Sequence, residues 1–196
     1  IQHITDHTAT SLCRSSCSTT LTKLTLNNIP FSNETFLTLA KTITQLQKLE
    51  LRKTLISTTE SLKLFFLNSK SLTRFRYEPL GGKYRCSGPL LDNLFLELYQ
   101  QKKSNANNFV ITPLKKLIFN NVESLISDIG VYAIVKTFST LQSLYLFNNT
   151  AVLTTDSLRY MLKYCSSSLT SLVVGDSLVV DDNYSLFIKY LTEALN

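Results

Sequence analysis

Lys23, Lys48, Arg74 and Lys116 are four cations that recur at one place in successive copies of a short pattern. The pattern is Leu-x-x-Leu-x-Leu, and each cation is its third residue. The fifth place holds Thr25, Glu50, Arg76, Ile118, Tyr145 and Val173; the seventh holds Asn27, Arg52, Glu78, Asn120, Phe147 and Gly175. Cations set side by side at strand spacing repel one another, and Glu50 and Glu78 are placed to offset part of that repulsion. The charge left over suits oxyanions, which lysine and above all arginine bind through charge-assisted hydrogen bonds. In the later copies Ile118, Tyr145, Phe147 and Val173 form an apolar and aromatic patch at positions that should face water. Such patches mark contact surfaces, with tyrosine a frequent anchor. The chemistry expected is non-covalent recognition of a protein partner, acidic or phosphorylated at one end and apolar at the other. The contact residues are Lys23, Lys48, Glu50, Arg52, Arg74, Arg76, Lys116, Ile118, Tyr145, Phe147 and Val173.

Other chemistries are poorly supported. His3, His7, Cys13 and Cys17 form two pairs at helical spacing, a pattern that could hold zinc, but the repeat described below accounts for Cys17 and its surroundings without a metal. No catalytic triad can be assembled, because the only histidines are His3 and His7. There is no Gly-rich phosphate loop. Asp128, Asp156 and Asp181 sit at expected helix starts, where a carboxylate complements the helix dipole. The expectation is a binding protein, not an enzyme, with no cofactor and no metal. The net charge of +6 permits an acidic partner, but the basic column is short and lacks interleaved aromatics, which disfavours nucleic acid.

What must position the columns is the repeat. It reads Leu21-Leu24-Leu26, Leu46-Leu49-Leu51, Leu72-Phe75-Tyr77, Leu114-Leu117-Phe119, Leu141-Leu144-Leu146 and Leu169-Leu172-Val174, with first leucines separated by 25, 26, 42, 27 and 28 residues. The fourth and sixth places alternate as a short strand does. After the strands a second pattern appears. Phe31-Ser32-Asn33 leads to Phe36, Leu39, Ile43 and Leu46; Ile126-Ser127-Asp128 leads to Val131, Ile134, Phe138 and Leu141. These offsets define one face of a helix, with Ser32 as its N-cap. Weaker copies start at Ile4, Ile56, Leu153 and Val179. A strand–helix unit of this size cannot close a core alone, whereas stacked units can. They place parallel strands on the inside of a curve and helices outside, joined by right-handed crossovers.

The long step, from Leu72 to Leu114, is read as an insertion at 79–113 within the third repeat. Gly81, Gly82 and Gly88 concentrate backbone freedom there. Pro89 can open a helix whose buried face is Leu91, Leu94, Phe95 and Leu98. A polar loop follows. The segment is a tolerated surface insertion or a loop reaching over the inner face, with Lys83, Tyr84 and Arg85 as contacts.

Ile4-Thr5-Asp6, its variant Ile126-Ser127-Asp128, and the helix-end cysteines Cys17 and Cys165 resemble the cysteine-containing leucine-rich repeats of F-box proteins, over most of the chain from Ile4 to Leu191. The resemblance implies an α/β leucine-rich-repeat solenoid, a horseshoe with parallel strands on the concave face and helices on the convex face. It also implies the substrate-recognition part of an F-box-type ubiquitin ligase adaptor, which would meet ligase subunits through sequence outside residues 1–196. Two alternatives stay open: a regulatory scaffold of the GTPase-regulator or inhibitor type, and a secreted recognition module. The start without Met or leader reads as a fragment of a longer chain, here a single domain. Charged residues make up only 17% and hydrophobic ones 44%, against long disorder. No apolar run reaches the roughly 18 residues that a bilayer crossing needs, and Cys13, Cys17, Cys86 and Cys165 lack the spacing of a disulfide framework, which favours a cytoplasmic or nuclear setting.

Overall fold

A computed structural model describes residues 6–29, 31–54, 58–80, 90–104, 111–120, 126–147, 153–165 and 167–174. Helices and strands alternate: α1 (Asp6–Arg14) and a 3-10 turn (Ser16–Thr19), β1 (Lys23–Asn27), α2 (Asn33–Thr42), β2 (Lys48–Thr54), α3 (Thr59–Asn68), β3 (Arg74–Pro79), α4 (Leu90–Ser104), β4 (Lys116–Asn120), α5 (Asp128–Thr137), β5 (Ser143–Phe147), α6 (Thr155–Cys165) and β6 (Ser171–Val174). The strands form one sheet, all parallel, in the order β1-β2-β3-β4-β5-β6. The arrangement is compatible with a solenoid-like α/β stack.

The fourth and sixth places of the repeat form two buried ladders. Leu24, Leu49, Phe75, Leu117, Leu144 and Leu172 stand in one register, and Leu26, Leu51, Tyr77, Phe119, Leu146 and Val174 in the next. From Leu49 to Leu146 every member of both ladders is fully buried. The first leucines, Leu46, Leu72, Leu114 and Leu141, are buried too. Each such side chain stabilises the fold by about 1.5–3 kcal/mol relative to exposure. The opposite face of the sheet carries the third, fifth and seventh places, and in β1 and β3 it alternates cleanly with the buried ones.

One backbone carbonyl per repeat fixes the register. Thr22 O accepts from Gln47 N and Lys48 N at 2.8 and 3.0 Å, and Gln47 O accepts from Thr73 N and Arg74 N at 2.9 and 3.1 Å. Thr73, Lys115 and Gln142 repeat the arrangement toward the next strand. Hydroxyls add a second tie: Thr140 Oγ1 donates to Leu114 O at 3.3 Å and Ser168 Oγ to Leu141 O at 2.9 Å.

The helices are tied at their starts. Ser32 and Ser127 are the N-caps of α2 and α5, accepting from Thr35 N at 3.2 Å and Ile129 N at 3.3 Å. Each cap is in turn held by an aspartate of the preceding helix. Asp6 accepts from Ser32 N at 3.1 Å. Asp92 accepts from Ser127 N and Oγ at 2.9 and 2.6 Å. Asp128 accepts from Thr154 N and Oγ1 at 2.9 and 2.6 Å, and from Ser157 Oγ. The first-turn aspartates thus do more than face a dipole: they link one repeat to the next. Asp156 pairs instead with Arg159 on its own helix, at 2.9 Å, and Asp181 lies outside the described residues.

Within 79–113 the structure contains α4, with Leu91, Leu94, Phe95 and Leu98 fully buried as the spacing predicts. It packs between α3 and α5. Phe95 lies 5.9 Å from Phe66, 6.1 Å from Phe138 and 5.9 Å from Phe119, and Phe66 lies 5.0 Å from Phe75. This aromatic cluster joins the elements on either side of the long step, so α4 is a structural member of the stack. Pro89 and the weak copy starting at Val179 lie outside the described residues.

Gly130 shows how tightly α4 and α5 meet. A Cβ there would stand 2.0 Å from Asp92 Oδ1 and 2.9 Å from Ile126 Cγ1. Burial pushes the Asp92 carboxyl up from its ordinary value even though Ser127 and the Gly130 N–H donate to it. Alanine is ordinarily better than glycine in a helix by about 1 kcal/mol. Here it would drive the carboxylate from its donors and leave buried groups unpaired. Gly130→Ala is expected to lower stability by about 1–3 kcal/mol in urea unfolding; an unchanged or raised midpoint would contradict this packing.

Candidate functional site

The open face of the sheet assembles the expected columns in strict register. Lys23, Lys48, Arg74, Lys116, Ser143 and Ser171 stand side by side, and so do Thr25, Glu50, Arg76, Ile118, Tyr145 and Val173. In the seventh column Asn27 pairs with Arg52, Arg52 with Glu78, and Asn120 with Phe147. Parallel strands stand about 4.8 Å apart, so the cations are near neighbours.

Their repulsion is answered from below. Glu50 is 1% exposed. Lys48 Nζ lies 2.9 Å from its Oε1, Arg74 Nη2 3.3 Å from the same oxygen, and Arg52 Nη2 2.5 Å from Oε2. Burial pushes the Glu50 carboxyl up; the hydrogen bonds and charges of Lys48 and Arg52 push it further the other way, and the net direction is below its ordinary value. Glu50 was expected among the contact residues. Its surface is instead spent on its own neighbours, so its role is to hold three cations in place.

A second group follows on β3 and β4. Arg76 Nη2 lies 3.2 Å from Glu78 Oε2. The Asn120 amide fits with its oxygen 2.7 Å from Arg76 Nη2 and its nitrogen donating to Phe119 O at 3.2 Å. The inner Nε–H groups of Arg52, Arg74 and Arg76 are buried without an acceptor. On the face columns of the described strands six cations (Lys23, Lys48, Arg52, Arg74, Arg76 and Lys116) stand against Glu50 and Glu78, leaving four positive charges in surplus.

The aromatic end lies two strands away. Tyr145 and Phe147 stack at 5.8 Å and 26°, and both are half-buried, as is Val173. The Tyr145 hydroxyl lies 2.9 Å from Ser171 Oγ, and Lys116 Nζ stands 4.5 Å from the Tyr145 ring centroid. These contacts, first the bond to Ser171 and then the nearby Lys116, hold the Tyr145 hydroxyl below its ordinary pKa. Lys116 therefore belongs with the aromatic end as much as with the basic column. Ile118, expected as an exposed contact, is only 7% exposed and forms a low floor between Arg76 and Tyr145.

Tyr84 and Arg85, expected as loop contacts, lie outside the described residues, as does Lys83. His3 does too. Among the described residues no three His, Cys, Asp or Glu side chains are grouped to hold a metal ion, and no helix is long and apolar enough to cross a membrane. Cys13, Cys17 and Cys165 are free thiols. Asn120 and Ser171 stand in the columns without a distinguishing sequence signal; their roles follow only from the cross-strand neighbours they acquire. The chain matches no protein-family model and no curated protein.

The depressed Glu50 carboxyl sets a pH window. Its contribution is present above its ordinary value of 4.5 and drains as pH falls through the lower folded-state value. Glu50→Gln, which leaves the cations unpaired, is expected to cost about 1–3 kcal/mol at neutral pH, the partial exposure of the cations limiting the loss. In urea titrations from about pH 6 to about pH 3 the gap between variant and native protein should shrink; a gap that stayed constant would show that the ion pairs do not stabilise the fold.

Proposed function

We propose that the chain is a protein-binding leucine-rich-repeat module: a horseshoe whose concave wall is the open sheet face and whose partner lies across it. The carrying observation is the division of that face, with surplus positive charge on β2 and β3 and half-exposed aromatic rings on β5. Electrostatic complementarity of this kind speeds and orients association, and aromatic anchors supply affinity. The partner segment is acidic or phosphorylated where it meets Lys48, Arg52, Arg74 and Arg76, and apolar where it meets Tyr145, Phe147 and Val173. Binding rather than catalysis is the role.

The setting we propose is the substrate-recognition part of an F-box-type ubiquitin ligase adaptor in the cytosol or nucleus. It is supported by the repeated Ile-Thr-Asp and Ile-Ser-Asp starts, the helix-end Cys165 and the free thiols. Cys165 is buried, with its Sγ 3.9 Å from Val135 O, and burial pushes its thiol up to about 11, a packing role rather than a reactive one.

Neutralising Lys48, Arg74 and Arg76 together to Gln is expected to weaken capture of the native partner by roughly tenfold or more and to flatten its salt dependence. Lys41→Gln with Lys103→Gln, on exposed helical positions, should leave capture unchanged. Equal loss in both variants, or in neither, would remove the face from the account.

A further inference from the structure

Four tyrosines meet in the helix layer. They come from three successive helices: Tyr99 from α4, Tyr132 from α5, Tyr160 and Tyr164 from α6. Tyr132 is the hub. Its ring centroid stands 5.7 Å from that of Tyr99, 5.0 Å from Tyr160 and 6.1 Å from Tyr164, each pair edge to face. Its hydroxyl lies 3.5 Å from that of Tyr99. All four tyrosines are half-buried, so the cluster reaches the surface. The hydroxyls of Tyr160 and Tyr164 have no hydrogen-bond partner among the described residues.

Two lysines belong to the same cluster. Lys136 Nζ stands 3.6 Å from the Tyr164 centroid and 5.9 Å from that of Tyr132; Lys163 Nζ stands 5.5 Å from the Tyr164 centroid. Each lies two residues before the one that closes its helix, Phe138 or Cys165, so the pair holds one place in successive repeats. Elsewhere in this layer the fold neutralises its cations. Lys63 of α3 lies 2.8 Å from Glu60 and 3.0 Å from Glu97, and Arg159 lies 2.9 Å from Asp156. Around the tyrosines it does not. Residues 98–104, 131–138 and 158–165 contain no aspartate or glutamate. Neither Lys136 nor Lys163 has a carboxylate partner among the described residues.

One turn before Tyr132 stands Ile129, 57% exposed and the one large apolar side chain so exposed among the described residues. Offsets of three and four put Ile129, Tyr132 and Lys136 on one face of α5. At about 1.5 Å per residue the apolar and cationic ends are roughly 10 Å apart. The surface thus joins an apolar anchor, phenols and uncompensated ammonium groups. Carboxylates answer the ammonium groups, and an apolar side chain answers Ile129. A single-stranded nucleic acid fits less well, because bases need open ring faces. Here the Tyr132 ring meets three others, and Lys136 stands over Tyr164.

We propose that the outer surface of α4–α6 is a second docking surface, which takes an acidic stretch of a partner protein carrying a large apolar residue. The site lies in the helix layer and shares no residue with the open sheet face, so it stands or falls independently of the reading above.

The test uses short fluorescein-labelled Gly/Ser peptides: one rich in glutamate with a single leucine, one lacking the leucine, and one with lysine in place of glutamate. Anisotropy reads affinity, and amide shifts of 15N-labelled protein locate the contact. The first peptide should bind roughly tenfold tighter than either control and move amides of α5 and α6. Lys136→Gln with Lys163→Gln should weaken it roughly tenfold. Ile129→Ser should erase the advantage given by leucine and keep the remaining affinity. Circular dichroism checks the fold of each variant. Shifts confined to β2 and β3, equal affinity for all three peptides, or affinity unchanged by loss of the two lysines would overturn the site. Tighter binding of oligouridylate or of phosphatidylserine vesicles, insensitive to Ile129→Ser, would overturn the protein occupant in favour of nucleic acid or membrane.

Discussion

Each repeat depends on its neighbour because none can close a core by itself. The constraint is visible at Thr22, Gln47, Thr73, Lys115 and Gln142, whose carbonyls each receive two N–H groups from the following strand. That contact sets every strand at the same height as the last. Once height is set, Leu49, Phe75, Leu117 and Leu144 must stack, and the alternate residues must line up on the other side. A slip of one residue would turn the leucines outward and bury the cations. Packing and the columns of the open face therefore share one cause.

The lined-up face would be unfavourable if it were only cations. Glu50 changes the balance by lying beneath them, nearly inaccessible, with Oε2 hydrogen-bonded to Arg52 and Oε1 within ion-pair distance of Lys48 and Arg74. A buried ion cluster of this kind adds little net stability, but it orders three long side chains that would otherwise scatter. Such ordering would lower the conformational entropy lost by the proposed partner's contact surface on binding. The aromatic end is ordered in the same way by Ser171 and Lys116. At the helix starts Asp6, Asp92 and Asp128 perform an analogous task, each locking the cap of the next helix. At these three junctions a carboxylate thus holds polar groups that the leucine core cannot.

Much of this is legible in the residues because the repeat has a fixed period. The strands, the two leucine ladders, the Ser32 cap and the buried face of α4 follow from spacing alone. The face columns follow too, since register converts sequence position into spatial neighbour. What spacing does not reveal is depth. Glu50 and Ile118 occupy outward places yet are buried, Glu50 because Lys48, Arg52 and Arg74 close on its carboxylate. Nor does it reveal contacts that depend on pairs from different repeats, such as Asp92 against Gly130 or Phe95 between Phe66 and Phe138. The irregularity at the end of β2 is also silent in sequence: Lys53 adopts φ 49 where the register with β3 shifts between Arg52 and Thr54. Lysine is an unfavourable residue for that backbone, unlike Asn28, which takes φ 55 after β1.

Because the alignment of strands produces both the core and the proposed binding face, the decisive measurement is interstrand nuclear Overhauser contact between backbone protons along the fifth column. Contacts linking Thr25 to Glu50, Glu50 to Arg76, Arg76 to Ile118, Ile118 to Tyr145 and Tyr145 to Val173, in a parallel pattern, are the predicted result. Contacts displaced by one residue, or absent between Arg76 and Ile118 across the long connection, would dissolve the columns of the open face.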